Sequence, residues 1–256
     1  MSRRRPPRPW VGTARRVDPS ELAGPRGLTE EVLRGEDDDA PAPPGTPGFY
    51  WRLLTPERKA RIRSVVDARL RSVTVVLDRL LDPHNTAAIL RTAEGLGIAK
   101  AHVVPHEAGD SVAHRRVSQD AHKWLDVEMH PSGARAAALL RLAGYEVWAG
   151  HLAPDARPHT EVPADRPVAL LFGNEHEGPS PETLAACTGV FRIPMAGFTQ
   201  SFNVSVAAAI ALAHLTSARR RSLGKPGDLP EEERVQLRDR FTLLAAKLAR
   251  RVKPRR

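Results

Sequence analysis

From residue 72 onward, short apolar runs alternate with stretches of helical periodicity, and this alternation restricts the chain more than any other feature. Residues 73–77, 101–104, 127–129, 145–149, 168–172 and 191–193 read as strands. Helices are expected at about 83–96, 133–143, 181–186 and 203–219. Strands apolar at successive positions have both faces buried. The expected fold class is therefore α/β, a parallel sheet flanked by helices. Ligands of such sheets lie beyond the carboxyl ends of the strands. The last strand and helix carry the sharpest signal, FRIPMAGFTQSFNVSVAAAIALAHL over residues 191–215. The helix is apolar on nearly every side, the pattern of a core helix. Asn203 and Ser205 stand at its start, where free backbone N–H groups collect.

The flanks have a different composition. Residues 1–48 contain RRRPPRP, the acidic run 36–39 and PAPPGTPG, with few residues to bury, so a disordered tail is expected. The basic cluster Arg3, Arg4, Arg5 and Arg8 fits a nucleic-acid contact and a solvated tail equally well. An Arg-rich, acid-poor start also hints at a transit peptide, but its prolines oppose the amphipathic helix such a peptide needs. Residues 49–71 form a basic N-terminal helical segment. Within it the helix is expected over 55–71, with Thr55 as N-cap and Pro56 at N1. Residues 72–220 make up the core domain, and 221–256 a basic C-terminal extension of one or two helices.

Composition narrows the partners. The formal net charge of +9 favours a polyanion such as RNA or DNA, or an anionic membrane surface. With one cysteine, neither an intramolecular disulfide nor a thiolate metal cluster can form. No apolar run is long enough to span a bilayer and no secretory signal is visible, so the expected location is cytoplasmic, without a membrane partner. The 10 histidines invite a metal reading. His102 and His106 are four apart, but Pro105 lies between them and no HExxH motif accompanies them. No metal is expected. His122, in SQDAHKW, reads as a structural or RNA-facing residue.

Three loops that follow strands share one style. DPHNTAAILRT places Asn85 at a helix start and Arg91 six residues on. FGNEHEG turns at Gly173 and carries Glu175. IPMAGFTQSFN ends in Ser201, Phe202 and Asn203. The GxGxxG and GxxxxGK[ST] spacings are missing, which disfavours a nicotinamide-binding or P-loop domain.

In this order and spacing, the three loops resemble the SPOUT superfamily, and within it the TrmH family of RNA 2′-O-ribose methyltransferases. The resemblance covers about residues 72–220. It implies a C-terminal deep trefoil knot, a homodimer with sites near the subunit interface, and S-adenosylmethionine as methyl donor. It also implies site residues. Arg91 matches the family's catalytic arginine. Since an arginine stays protonated, its expected work is at the phosphate and the developing oxyanion rather than as a base. Asn85 matches the asparagine that supports the site. Glu175 matches the acid that orients neighbours and the dimer partner's arginine, and Ser201 and Asn203 match the polar pair near substrate and cofactor. Cofactor contacts, largely backbone, fall on Gly150, Gly173, Ile193 and Phe202. Many relatives carry leucine where Phe202 stands.

The basic helices on both sides of the core resemble the tRNA branch, which methylates the D-loop guanosine at position 18. Ribosomal RNA is the alternative substrate. A non-catalytic RNA-binding protein is a further alternative, disfavoured by the intact set Asn85, Arg91, Glu175, Ser201 and Asn203.

Overall fold

The computed structural model describes residues 42–106 and 123–251, with side chains through Lys247. The basic cluster at Arg3, Arg4, Arg5 and Arg8, the acidic run 36–39 and His122 lie outside the described residues.

Among the described residues, seven strands form one sheet: β1 (Val73–Asp78), β2 (Lys100–Val104), β3 (Asp126–Met129), β4 (Glu146–Gly150), β5 (Arg157–Pro158), β6 (Val168–Gly173) and β7 (Gly189–Arg192). Their order is β3-β2-β1-β6-β4-β7-β5, and every pairing is parallel. The expected α/β class is what the chain adopts. β1 and β6, at the centre, are buried at every residue. This follows from unbroken apolar runs, which can only sit where both faces are covered.

The period of two along each strand divides the core. Val75 and Leu77 join the apolar residues of α3 (Pro83–Gly95) and α6 (Val204–Leu223) on one face. Val76, Ala169 and Leu171 meet α4 (Gly133–Leu142) and α5 (Pro181–Ala186) on the other.

The sequence pattern misses β5 and the 3-10 turn His159–Glu161 that follows it. A two-residue Arg–Pro strand has no apolar alternation to read. It exists because the edge of β7 offers it a register, Arg157 opposite Phe191.

Two expectations need correction. The segment 49–71 is not one helix but two, α1 (Pro47–Arg52) and α2 (Pro56–Asp67). Pro56 disfavours helical backbone at the residue before it, and Thr55 is extended, its side chain accepting from the Arg58 N–H as an N-cap. α2 stops short of residue 71 because the backbone turns into the sheet's margin, where the Leu70 N–H donates to the Gly97 carbonyl at 2.8 Å. The second correction concerns α6. It is not covered all round: Ala208, Ala211, Leu212, Leu215, Thr216 and Arg219 are buried, while Val206 is 45% exposed on the outer side.

Helix α7 (Glu231–Arg251) is a single helix with three glutamates in its first turn, where the helix dipole favours negative charge. Phe241 and Ala245 of α7 close a separate apolar cluster with Trp51 of α1 and with Ile62 and Val66 of α2. Arg69 links this flank to the core. Only 1% exposed, its guanidinium donates to the carbonyls of Glu94, Ile98 and Trp124 and to the Glu94 carboxylate, and it lies 5.7 Å from the Phe241 ring centroid. Nearby, the Asp228 carboxylate accepts from the backbone N–H groups of Arg71 and Ser72. Among the described residues, no helix is long and apolar enough to cross a membrane.

Candidate active site

The carboxyl ends of β4, β6 and β7 open into a cavity of about 540 Å³. This is where a parallel sheet places its ligands, and the size suits a small molecule. Gly150 ends β4, Gly173 ends β6, and Ile193 follows β7; all three line the cavity. Ser201, Phe202 and Asn203 bring in the loop that enters α6, and Phe172 and Phe191 form an aromatic wall, packed edge to face.

The loop after β6 is shaped by its own polar atoms. The Asn174 side-chain oxygen accepts from the N–H groups of His176 and Glu177, and its carbonyl accepts from Gly178. Gly178 takes φ of +70°, a left-handed conformation that favours glycine. Gly173 has no room for a side chain: a Cβ there would fall 2.3 Å from the Pro179 nitrogen and 2.5 Å from the Gly178 carbonyl carbon.

Three of the expected site residues are hydrogen-bonded in series. Asn203 caps α6, its Oδ1 accepting from the Ser205 N–H at 2.8 Å. Its Nδ2 donates to Asn85 Oδ1 at 3.1 Å, and Asn85 Nδ2 donates to Glu175 Oε1 at 2.8 Å. The direction of both amides is forced. A backbone N–H at one end can only donate, and a carboxylate at the other can only accept.

Glu175 also accepts from the backbone N–H groups of Leu81 and Asp82, at the start of α3. Partial burial works against its charge, but the hydrogen bonds, from Leu81 and Asn85 first, outweigh it and hold the carboxyl below its ordinary pKa. The starts of α3 and α6 and the loop after β6 are thus tied through side chains from three separate parts of the chain.

The structure brings Gly150, Gly173, Glu175, Ile193, Ser201, Phe202 and Asn203 to the cavity wall. Asn85 is buried directly behind it, bonded to Glu175 and Asn203. Arg91 does not join them. Six residues beyond Asn85, it lies about a third of a turn around α3, exposed, with no hydrogen-bond or ion-pair partner among the described residues. His151, His176 and Gln200 also line the cavity and were not singled out from the sequence. His151 and His176 each stand within three residues of a strand's carboxyl end, the signal that points to them.

The model of the SpoU rRNA Methylase family matches residues 72–213. A tRNA (guanosine(18)-2′-O)-methyltransferase of Thermus thermophilus is 41% identical over 161 residues, 63% of this chain and 82% of the relative. The crystal structure of the Aquifex aeolicus TrmH/SpoU tRNA modifying enzyme matches with a TM-score of 0.66 at 28% identity, covering 74% of this chain and 96% of that one. An AdoMet-bound rRNA methyltransferase from Sinorhizobium meliloti matches with a TM-score of 0.52 at 28% identity, covering 63% and 60% respectively.

Proposed function

This chain belongs to the SpoU rRNA methylase family, and from that premise we propose that it methylates a ribose 2′-hydroxyl of tRNA, at the D-loop guanosine in position 18, with S-adenosylmethionine as donor. The observation that carries this reading is the Asn203–Asn85–Glu175 series at the rim of the cavity.

The residues present fit the donor. Phe172, Phe191 and Phe202 offer apolar surface to an adenine, and Gly150, Gly173 and Gly178 let the backbone approach closely. When bound, S-adenosylmethionine supplies an electrophilic methyl on a sulfonium. The chain's own part is positioning. Gly150, Gly173, Ile193 and Phe202 hold the adenosine through backbone groups and packing. Asn203, Asn85 and Glu175 fix the cavity rim, since methyl transfer tolerates little misalignment. The Ser201 hydroxyl faces the reacting ribose. The Arg91 guanidinium takes the substrate phosphate and the charge that develops on the 2′-oxygen.

The protein works as a homodimer in which Arg91 of each subunit serves the cavity of the other. Two features support this. Arg91 is exposed and does not line the cavity of its own chain, and Phe198, Phe202 and Val206 expose apolar surface around the start of α6. The carboxyl-terminal part is threaded into a trefoil knot. Its support is that β4 is flanked on both sides by strands later in the chain, β6 and β7. The chain divides into an N-terminal segment, a helical segment that begins with α1 at Pro47 rather than at the expected residue 49 and runs through residue 71, a methyltransferase domain from residue 72 to the end of α6 at Leu223 rather than to residue 220, and a basic helical extension after it, and acts in the cytoplasm. The basic helices α2 and α7 contact the RNA backbone.

Ribosomal RNA is the second reading, favoured by the family description and by the Sinorhizobium meliloti structure. Incubation with labelled S-adenosylmethionine and bulk tRNA, followed by mapping of ribose methylation, separates the two. The expected product is a 2′-O-methylguanosine in the D-loop. Methylation of ribosomal RNA without methylation of tRNA overturns the substrate assignment. An Arg91→Ala variant that transfers methyl groups undiminished overturns the role of that arginine.

A further inference from the structure

The sheet face away from α3 and α6 carries a second group of chemically capable side chains, remote from the cavity's lining. His102 on β2 stands directly opposite Glu128 on β3, and Lys100 opposite Asp126. A period of two puts Lys100 and His102 on one face of β2. It puts Asp126 and Glu128 on the same face of β3, and His130 follows two residues beyond Glu128. His102 Nδ1 and His130 Nε2 are 2.9 Å apart, and Glu128 Oε1 is 3.7 Å from His130 Nε2. Both histidines are buried.

We propose that His102, Glu128 and His130 form a binding site for a divalent transition-metal ion of the Zn²⁺ class. One ligand atom from each of the three lies within 4.8 Å of the others. Tetrahedral ligands held about 2.0–2.1 Å from zinc stand roughly 3.3 Å apart, a value the two observed separations bracket. Two imidazoles and one carboxylate leave one position open to water. An adjoining cavity of about 540 Å³, lined by these three residues together with Tyr145 and Arg240, has space for it.

The surroundings present the ligands in the form a metal needs. Lys100 Nζ holds Glu128 Oε2 at 3.2 Å, while Oε1 faces His130. The ammonium opposes a second cation nearby, but Asp126, 3.5 Å from it, offsets part of that charge. His102 Nδ1 and His130 Nε2 share a proton across their 2.9 Å contact, and metal binding displaces it. The bound ion clips β3, at the edge of the sheet, to β2.

Titration of the metal-free protein with Zn²⁺ against a chromophoric chelator tests this, with Co²⁺ absorption reporting coordination number. The expected result is one equivalent per chain and a four-coordinate Co²⁺ spectrum. At least tenfold weaker binding is expected in His130→Gln and Glu128→Gln variants that keep the wild-type circular dichroism. His106→Gln should bind as wild type. Unaltered binding in both the His130 and Glu128 variants, loss of binding in the His106 variant alone, or no stoichiometric binding by the wild type overturns the proposal.

Discussion

At Gly173 the cavity depends on the absence of a single carbon. An alanine Cβ would press on backbone atoms of Gly178 and Pro179, which cannot rotate away as a flexible side chain can. Gly173→Ala should therefore shift the loop after β6 and cost about 1–3 kcal/mol. Thermal unfolding should show a drop of several degrees, and calorimetric titration should show weakened S-adenosylmethionine binding. Glu175 gives a different readout. Its carboxyl is held below the ordinary value in the folded protein, so its share of stability is complete above the unfolded value of about 4.3. That share is lost as pH falls through the lower folded value. Melting temperature followed downward from pH 6 should show this loss in the wild type. The same limb should be shallower in Glu175→Gln, and an unchanged slope would argue against the bonds assigned to it.

The starts of α3 and α6 show what could and could not be read in advance. Thr55 and Asn203 were legible as caps because a cap is a local matter, one side chain and an N–H two or three residues away. Strands β1 and β6 were legible because both faces are buried and the apolar run is unbroken. Non-local pairings were not. Asn85, Glu175 and Asn203 could each be nominated from the loops they stand in, but their bonding in series spans 118 residues. In sequence the neighbour of His102 is His106, while the fold sets it against His130. The outward side of α6 is not legible in the sequence, because composition alone cannot say how many sides of an apolar helix are covered.

The dual task of Asn203 can be separated. Asn203→Asp keeps an oxygen for the Ser205 N–H but has no N–H to give Asn85. It should keep the cap but set a carboxylate oxygen against Asn85 Oδ1, also an acceptor, at a cost of about 1–3 kcal/mol, and lose methyl transfer, expected to fall at least tenfold in kcat/KM. Asn203→Ala should lose both.

For the whole molecule, the position of Arg91 makes a prediction about subunits. If Arg91 serves the neighbouring cavity, Arg91→Ala and Glu175→Gln are each inactive as homodimers. A mixed dimer, however, has one intact site, with Glu175 from one chain and Arg91 from the other. Co-expression of the two variants should restore about a quarter of wild-type activity, the random-pairing value for a two-fold dimer. If Arg91 serves its own chain, the mixture stays dead.

Arg69 and Asp228 carry a thermodynamic consequence. The chain enters β1 and leaves α6 at one place, where Asp228 binds the N–H groups of Arg71 and Ser72. There too, Arg69 is enclosed between core carbonyls and the ring of Phe241. Loosening α7 would strip that guanidinium of its cover, and opening the sheet would strip it of its acceptors. Neither part can unfold without charging its cost to the other. The helical flank and the sheet should melt in a single calorimetric transition, with calorimetric and van't Hoff enthalpies equal. On this expectation the flank belongs to one cooperative unit and is not an appended module.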